Sequence, residues 1–408
     1  MSLITLDTSG SIDPDFGVCQ DQMSAIAPTM DRLRDDFLAE VQSSENHFFD
    51  LPMQQYEAYQ AEREASPLGR VFDVGTGLND HIDAVVVVGS AEATAAARGI
   101  FRSCCDPYHN ELSRADRGSR PRMYFAGDTF DNDDLAALMH RLSQRDFRDS
   151  PAESRWALLV MDSAGETSGK LKEESRLAYQ VLLSELSDPK RFLFSVVTPG
   201  GWLDQQARSL GCENVFEIPA GFGSAKRTLS ALSLLPSAML GLDCIKLLEG
   251  AVMMNEHFKS SSLEENVVLQ FVAIHHLLAN HHLLANEGIV GRRFQAWPSS
   301  LDWLPGWYQS LRPRVNSGAT IDSAVVTNWV AWNPRYDLVE LGDESLVDKM
   351  TASICSTNQA DRLAKQPTLT IELPTIDTRV LGQIFQMLLI ATKIEAQLKE
   401  SPALPSSV

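Results

Sequence analysis

Apolar residues in this chain recur first in a helical rhythm and then in contiguous runs, and the change divides the sequence. In residues 1–75 Met23, Ile26, Met30, Leu33 and Phe37 lie three or four positions apart, on one face of a helix. A second helical stretch, about 46–65, stops at SPLG, where proline and glycine break it. This part predicts a helical lead-in without a core of its own. From residue 80 the apolar positions run together. AVVVVGS at 84–90 predicts a buried strand and a Gly-Ser turn, and a helical pattern follows. An unbroken valine run fits a strand covered on both faces, as in a parallel sheet.

The same unit recurs. RMYFAG from Arg122 predicts a strand, and DNDDLAALMHRL from Asp131 a helix with an acidic first turn. WALLVMDSAGETSG from Trp156 reads as strand and turn before a helix over 170–186. FLFSVVTPGG from Phe192 repeats that pattern before a helix over 202–210, and NVFEIP from Asn214 is a short strand. Alternation of this kind predicts a doubly wound α/β layer with right-handed crossovers. After Pro219 the pattern is mostly helical, over about 226–241, 244–257 and 263–286. An aromatic stretch follows with Trp297, Trp303, Trp307 and Tyr308, which suits an interface or a core equally. Strand-like segments return at 324–332 and 369–373, a last helix covers about 378–398, and PALPSSV reads as a frayed tail. A second α/β domain with shorter, less regular strands is therefore expected.

Composition narrows the class of partner. The chain has 408 residues, 44% hydrophobic and 22% charged, enough to bury a large core without covalent staples. Its formal net charge of −19 repels phosphate-coated surfaces, so neither nucleic acid nor an anionic membrane is an expected partner. A local basic pocket for a small anion stays compatible with that field. Six cysteines, at 19, 104, 105, 212, 244 and 355, show no CxxC spacing. They predict a reducing, cytoplasmic setting and no thiolate metal site. The N-terminus has neither a basic region nor an apolar core of the secretory kind, and no run reaches the roughly 18 apolar residues of a membrane-spanning helix.

One local repeat stands out: HHLLAN at 275–280 and again at 281–286. A six-residue period does not match the helical 3.6, so the two copies face different directions. His275 and His282 share a face, but no nearby acid completes a metal site, and the repeat reads as local duplication on a helix.

Ligands of parallel α/β sheets sit at the carboxyl ends of the strands, where three loops carry small or hydroxyl residues. Gly89-Ser90 opens a helix directly after the valine run, which suits either an anion or a plain helix cap. Residues 162–169, DSAGETSG, are rich in hydroxyls and glycine, yet Asp162 and Glu166 oppose a dianion and the spacing is not that of a Walker A loop. The third loop, PAGFGSAKRTLS from Pro219, is glycine-rich, then basic, then helical. Lys226 and Arg227 at a helix start oppose the macrodipole, which favours an anionic neighbour over the alternative of solvent-facing charges.

At this third loop the segment from Ile218, IPAGFGSAKRTLSALSLLPSAMLGLD, resembles the signature region of the glucose-6-phosphate isomerase family, roughly IPxxxGGRYSxLSxxGLLPxAxxGxD, without a gap. Other segments follow in the family's order. AVVVVGS is similar to its strand ending in GIGGS, and MYFAGDTF from Met123 to FVGNNIS. VMDSAGETSG from Val160 is similar to ISKSGTTTE. LDWLPGWYQSL from Leu301 resembles FxEWWKQL, and the segment from Leu381 resembles the family's late helix. The resemblance spans about residues 80–398. It implies two SIS-type (sugar isomerase) domains, each a three-layer α/β/α sandwich with a mainly parallel sheet, behind the N-terminal helical segment. The expected boundaries are 1–75, 76–235, 236–400 and a tail at 401–408.

The resemblance also implies chemistry. The family interconverts glucose 6-phosphate and fructose 6-phosphate, a step of glycolysis and gluconeogenesis, through a cis-enediol and without cofactor or metal. A glutamate shuttles the proton, a histidine helps to open the ring and an arginine steadies the enediolate, which is acid–base chemistry beside a fixed positive charge. Here the family's GGR becomes Gly223, Ser224 and Ala225, so Lys226 and Arg227 are the replacement cations. The stretch aligned with the catalytic glutamate, 312–318, holds no acid, and Asp361 stands where the family has its histidine. The catalytic candidates are thus Lys226, Arg227 and Asp361. The phosphate-binding candidates are Gly89, Ser90, Ser163, Gly165, Thr167 and Ser168. The expected protein is a cytoplasmic homodimer that takes a sugar phosphate and no cofactor. It is either a divergent isomerase or a non-catalytic sensor or interaction protein on the same scaffold.

Overall fold

The computed structural model describes residues 2–13, 17–44, 46–78, 81–143, 155–162, 171–219, 227–284, 290–311, 323–331 and 346–400. They fall into two compact units, a central one, Asn46–Leu248, and a terminal one made of Met1–Glu45 with Glu249–Val408.

The chain starts in the terminal unit with β1 (Thr5–Asp7) and α1 (Gln20–Ser43). The helical stripe Met23, Ile26, Met30, Leu33 and Phe37 is buried as the spacing predicts, and Val41 extends it.

The central unit follows. Helices α2 (Leu51–Glu62) and α3 (Pro67–Leu78) precede β2 (Ala84–Val88). Then come α4 (Ala91–Cys104), β3 (Arg122–Ala126), α5 (Asn132–Ser143), β4 (Trp156–Met161) and α6 (Glu173–Glu185). The short α7 (Pro189–Phe192), β5 (Leu193–Val197), α8 (Trp202–Ser209), β6 (Asn214–Glu217) and α9 (Ala231–Met239) complete it. The five strands form one parallel sheet in the order β3-β2-β4-β5-β6. All five residues of β2 are buried, because the strand is central and covered on both faces. At the amino ends of β2 and β3, buried Asp83 is held by Arg117 and Arg122, with Arg114 at 3.6 Å. This ion cluster lies at the opposite end of the sheet from the loops singled out above.

The division between the units falls within α10 (Cys244–Ser260). The terminal unit continues with α11 (Val267–Leu284), β7 (Val290–Ala296), α12 (Leu304–Leu311), β8 (Ser323–Ala331), α13 (Leu346–Leu363), β9 (Thr368–Leu373) and α14 (Thr378–Glu400). Its sheet runs β1-β9-β8-β7, parallel except for β1, which lies antiparallel on β9 with Leu6 opposite Ile371. Sixteen residues of α14 are buried, so this helix is the spine of the unit's core. The α/β class with mainly parallel sheets is the one read from the pattern.

The division differs from the boundaries expected at residues 75 and 235. The reason lies in β1 and α1. The first strand extends the second sheet, and α1 packs on α11 and α14, so the opening residues belong with the end of the chain. Residues 46–75 instead join the first sheet's unit through α3, which crosses α9 closely. A Cβ on Gly75 would stand 2.6 Å from the Ala238 carbonyl oxygen.

Candidate functional site

The strand order of the central sheet sets the site. From β2 the chain moves to β3 on one side, then crosses back to β4 on the other. The carboxyl ends of β2 and β4 therefore flank the topological switch point, where open α/β sheets bind ligands. Gly89-Ser90 leaves β2 there, and Asp162 leaves β4. Gly89 is a place where only glycine fits without movement. A Cβ would stand 3.1 Å from both the Met161 carbonyl oxygen and the Thr94 methyl.

Ser90 is the N-cap of α4. Its hydroxyl accepts the Ala93 N–H at 3.3 Å, and its carbonyl oxygen accepts the Thr94 hydroxyl at 3.1 Å. The side chain is 1% exposed, so capping occupies it. In the first turn of α4, Glu92 meets Lys172 at 2.8 Å, just before α6. Burial pushes the Glu92 carboxyl up, but the hydrogen bond from Lys172 and the residue's own backbone amide outweigh it and leave it below the ordinary value.

Asp162 is fully buried. One oxygen accepts the Thr198 N–H at 3.2 Å from the end of β5, while Oδ1 has no hydrogen-bond partner among the described residues. Arg227, also buried, lies within the field of Asp162. Burial pushes its guanidinium down and the Asp162 charge pulls it back up. No direct salt bridge joins the two among the described residues. A buried carboxylate and a capped helix start stand at this edge with a buried guanidinium in the carboxylate's field, chemistry that suits a polar ligand with hydrogen-bond donors and one negative group.

Of the residues singled out from sequence, Gly89, Ser90 and Arg227 are among the described residues of the central unit. Gly89 and Ser90 stand at the switch point, and Arg227 is within reach of Asp162's charge. Lys226, Ser163, Gly165, Thr167 and Ser168 lie outside the described residues. Asp361 belongs to the terminal unit. It sits in the last turn of α13, half-buried, with its carbonyl oxygen accepting the Gln366 N–H at 2.9 Å. Arg227 and Asp162 were each visible in the sequence, but their electrostatic link was not, because nothing local joins the two loops.

Residues 275–284 of the histidine repeat fall on α11, and 285–286 lie outside the described residues. His275 is buried with Nδ1 2.7 Å from the Phe271 carbonyl oxygen and Nε2 3.3 Å from the Thr327 hydroxyl, so both ring nitrogens have protein partners. Among the described residues no group of three His, Cys, Asp or Glu side chains is placed to hold a metal ion. No helix among them is long and apolar enough to cross a membrane.

No protein-family model matches the chain. Against curated proteins, it is 26% identical over 216 residues to the glucose-6-phosphate isomerase of Lactiplantibacillus plantarum, covering 51% of this chain and 44% of that protein. The chain thus spans about half the length of the curated relatives it matches. Among solved structures, a hypothetical protein of Thermus thermophilus superposes with a TM-score of 0.74 at 20% identity, over 97% of this chain and 94% of that one. A glucose-6-phosphate isomerase from Chlamydia trachomatis superposes with a TM-score of 0.69 at 12% identity, over 96% and 83%. By sequence this chain is a distant homologue of the glucose-6-phosphate isomerases, and it carries their two-sheet α/β fold.

Proposed function

We propose that this protein binds a sugar phosphate at the carboxyl edge of its central sheet and interconverts the aldose and ketose forms, glucose 6-phosphate and fructose 6-phosphate. The single observation that carries the reading is the pairing of Gly89-Ser90 with Asp162 across the switch point, with the Arg227 guanidinium in Asp162's field. In such a reaction a base removes the proton from C2 of the open-chain aldose. The C–H electrons form the C1–C2 double bond and O1 takes the enediolate charge; the C2 hydroxyl then passes its proton to O1, the C2 carbonyl forms, and the carbon-bound proton returns to C1. The enediolate needs a fixed positive charge, a role that falls to Arg227 with Lys226. Asp361 is retained as the acid–base candidate because it aligns with the family's histidine. Two SIS-type domains, a cytoplasmic location and a homodimer belong to the same proposal.

A second reading, a sugar-phosphate binder without turnover, is favoured by one specific observation. The Ser90 hydroxyl is spent on its own helix and Asp162 stands buried where a phosphate loop would offer a hydroxyl. Fructose 6-phosphate in D₂O separates the two. Deuterium at C2 of glucose 6-phosphate, scaling with protein and lost in Arg227→Ala, supports the isomerase. No exchange over hours at micromolar protein, together with saturable binding of the same sugar, selects the binder. No exchange and no binding refutes both.

A further inference from the structure

A groove of about 690 Å³ runs along the outer side of β6 in the central unit, walled by Leu51, Ala58, Leu68 and Val71 of α2 and α3 and closed by Leu234 of α9. Its floor is a strand edge. Among the described residues β6 is the last strand of the sheet, bonded to β5 on one side only. The Ile218 N–H donates to the Val197 carbonyl oxygen at 2.8 Å, which fixes the parity of the ladder. Residues 214, 216 and 218 turn their peptide groups to β5, while Val215 and Glu217 turn theirs into the groove. Arg70 shows the outward direction directly: its Nη2 donates to the Val215 carbonyl oxygen at 3.1 Å, and its guanidinium lies 5.2 Å from the Phe216 ring centre. Arg70 occupies one acceptor of this edge, and among the described residues the N–H groups of Val215 and Glu217 and the Glu217 carbonyl oxygen are left facing the groove.

Peptide groups repeated along an edge are matched in spacing by another extended chain. The charges of the lining select its kind. Arg70 and Arg208 oppose Glu213 and Glu217, so the groove is neutral in a chain of formal net charge −19, and its walls are aliphatic. We infer that the β6 groove docks an extended, uncharged peptide segment of a partner protein, which adds a sixth strand to the central sheet with apolar side chains against α2 and α3. This use of the edge is separate from the sugar-phosphate site at the strand ends.

The test uses the full chain and a fluorescein-labelled peptide of alternating valine and threonine, seven residues long, followed by anisotropy. Expected is saturable binding that changes less than twofold between 50 and 500 mM salt, with slowed amide exchange at Val215 and Glu217. A peptide of the same sequence methylated on alternate backbone nitrogens loses at least tenfold in affinity. Val215→Pro, which removes one edge N–H, loses a similar factor, and Arg70→Ala, which frees the Val215 carbonyl oxygen, binds more tightly. Circular dichroism of both variants confirms that they are folded. Absence of saturable binding up to millimolar peptide overturns the inference. So does equal affinity for the methylated peptide, or strong salt dependence.

Discussion

Asp83 offers the sharpest test of how the central sheet is held together. Its side chain is 9% exposed and meets the guanidinium groups of Arg117 and Arg122, while the Arg117 side chain is wholly buried. Arg117 also donates to the carbonyl oxygens of Arg120 and Leu112, so it is fixed in place. Burial pushes the Arg117 guanidinium down, Asp83 pulls it back up, and Arg122 pushes it down again. Asp83→Asn keeps the shape and one acceptor oxygen but leaves three arginines without their common counter-charge. Removing one partner of a buried pair costs about 3–5 kcal/mol. In a domain of roughly 150–250 residues, each kcal/mol moves the melting temperature by about 2–4 °C, so a fall of about 6–20 °C is expected. Urea unfolding followed by circular dichroism measures the loss directly. Arg117→Met alone leaves Asp83 with Arg122 and Arg114 and should cost less. The double variant should cost clearly less than the sum of the singles, because its two groups share one interaction. A loss below about 1 kcal/mol for Asp83→Asn, or strict additivity in the double variant, would refute the claim that this cluster is held by charge compensation.

Two further outcomes follow from the terminal unit and from histidines that are buried or half-buried. Gly250 of α10 lies under the start of α14, and a Cβ there would stand 1.9 Å from the Arg379 carbonyl oxygen. Gly250→Ala should therefore destabilise by about 1–3 kcal/mol through overpacking, although the same change in an exposed helix stabilises by about 0.5–1 kcal/mol; a melting temperature at or above wild type would count against the packing. Burial pushes His109, His257 and His276 below the ordinary histidine value of about 6.5. His257 has a plain reason to stay neutral, since its Nε2 accepts the Val267 N–H at 3.2 Å. Unfolded histidines then bind protons that the folded ones refuse. The stabilisation is complete above about pH 6.5 and is lost as pH falls from there through the lower folded values. The melting temperature should drop between pH 7.5 and 5.5, and a rise would reverse the sign of this reasoning.

Much of the architecture was legible because its elements bury apolar surface in a period of their own. The valine run 85–88 is a central strand with every side chain covered, and the stripe from Met23 to Phe37 is a buried helix face. Elements that escaped the pattern are held by other forces. β7 carries Arg292 and Arg293 and does not look like a strand. Arg292 is nevertheless accommodated, because it donates to the Tyr308 hydroxyl at 2.6 Å and pairs with Glu395 of α14. Neither partner is near it in sequence. α13 has few buried residues, Ile354 among them, so it shows no stripe to read. β1 is three residues long and is a strand only because β9 supplies its ladder from the far end of the chain.

The candidate site was less legible for a different reason. A serine after a strand and before a helix can serve the helix or a ligand, and both uses ask for the same residue in the same turn. Burial is what separates them, and Ser90 at 1% exposure serves the helix. Asp162 reverses the argument. In sequence its charge counts against a phosphate, but a buried carboxylate with one oxygen unmatched among the described residues and a guanidinium in its field suits a donor group rather than barring every ligand. If a sugar binds here, its hydroxyls should therefore face Asp162 and its phosphate should keep to the α4 side. Asp162→Asn then weakens a sugar phosphate that carries the full set of hydroxyls more than it weakens inorganic phosphate. Equal effects on both ligands in a titration would show that Asp162 acts only through the fold.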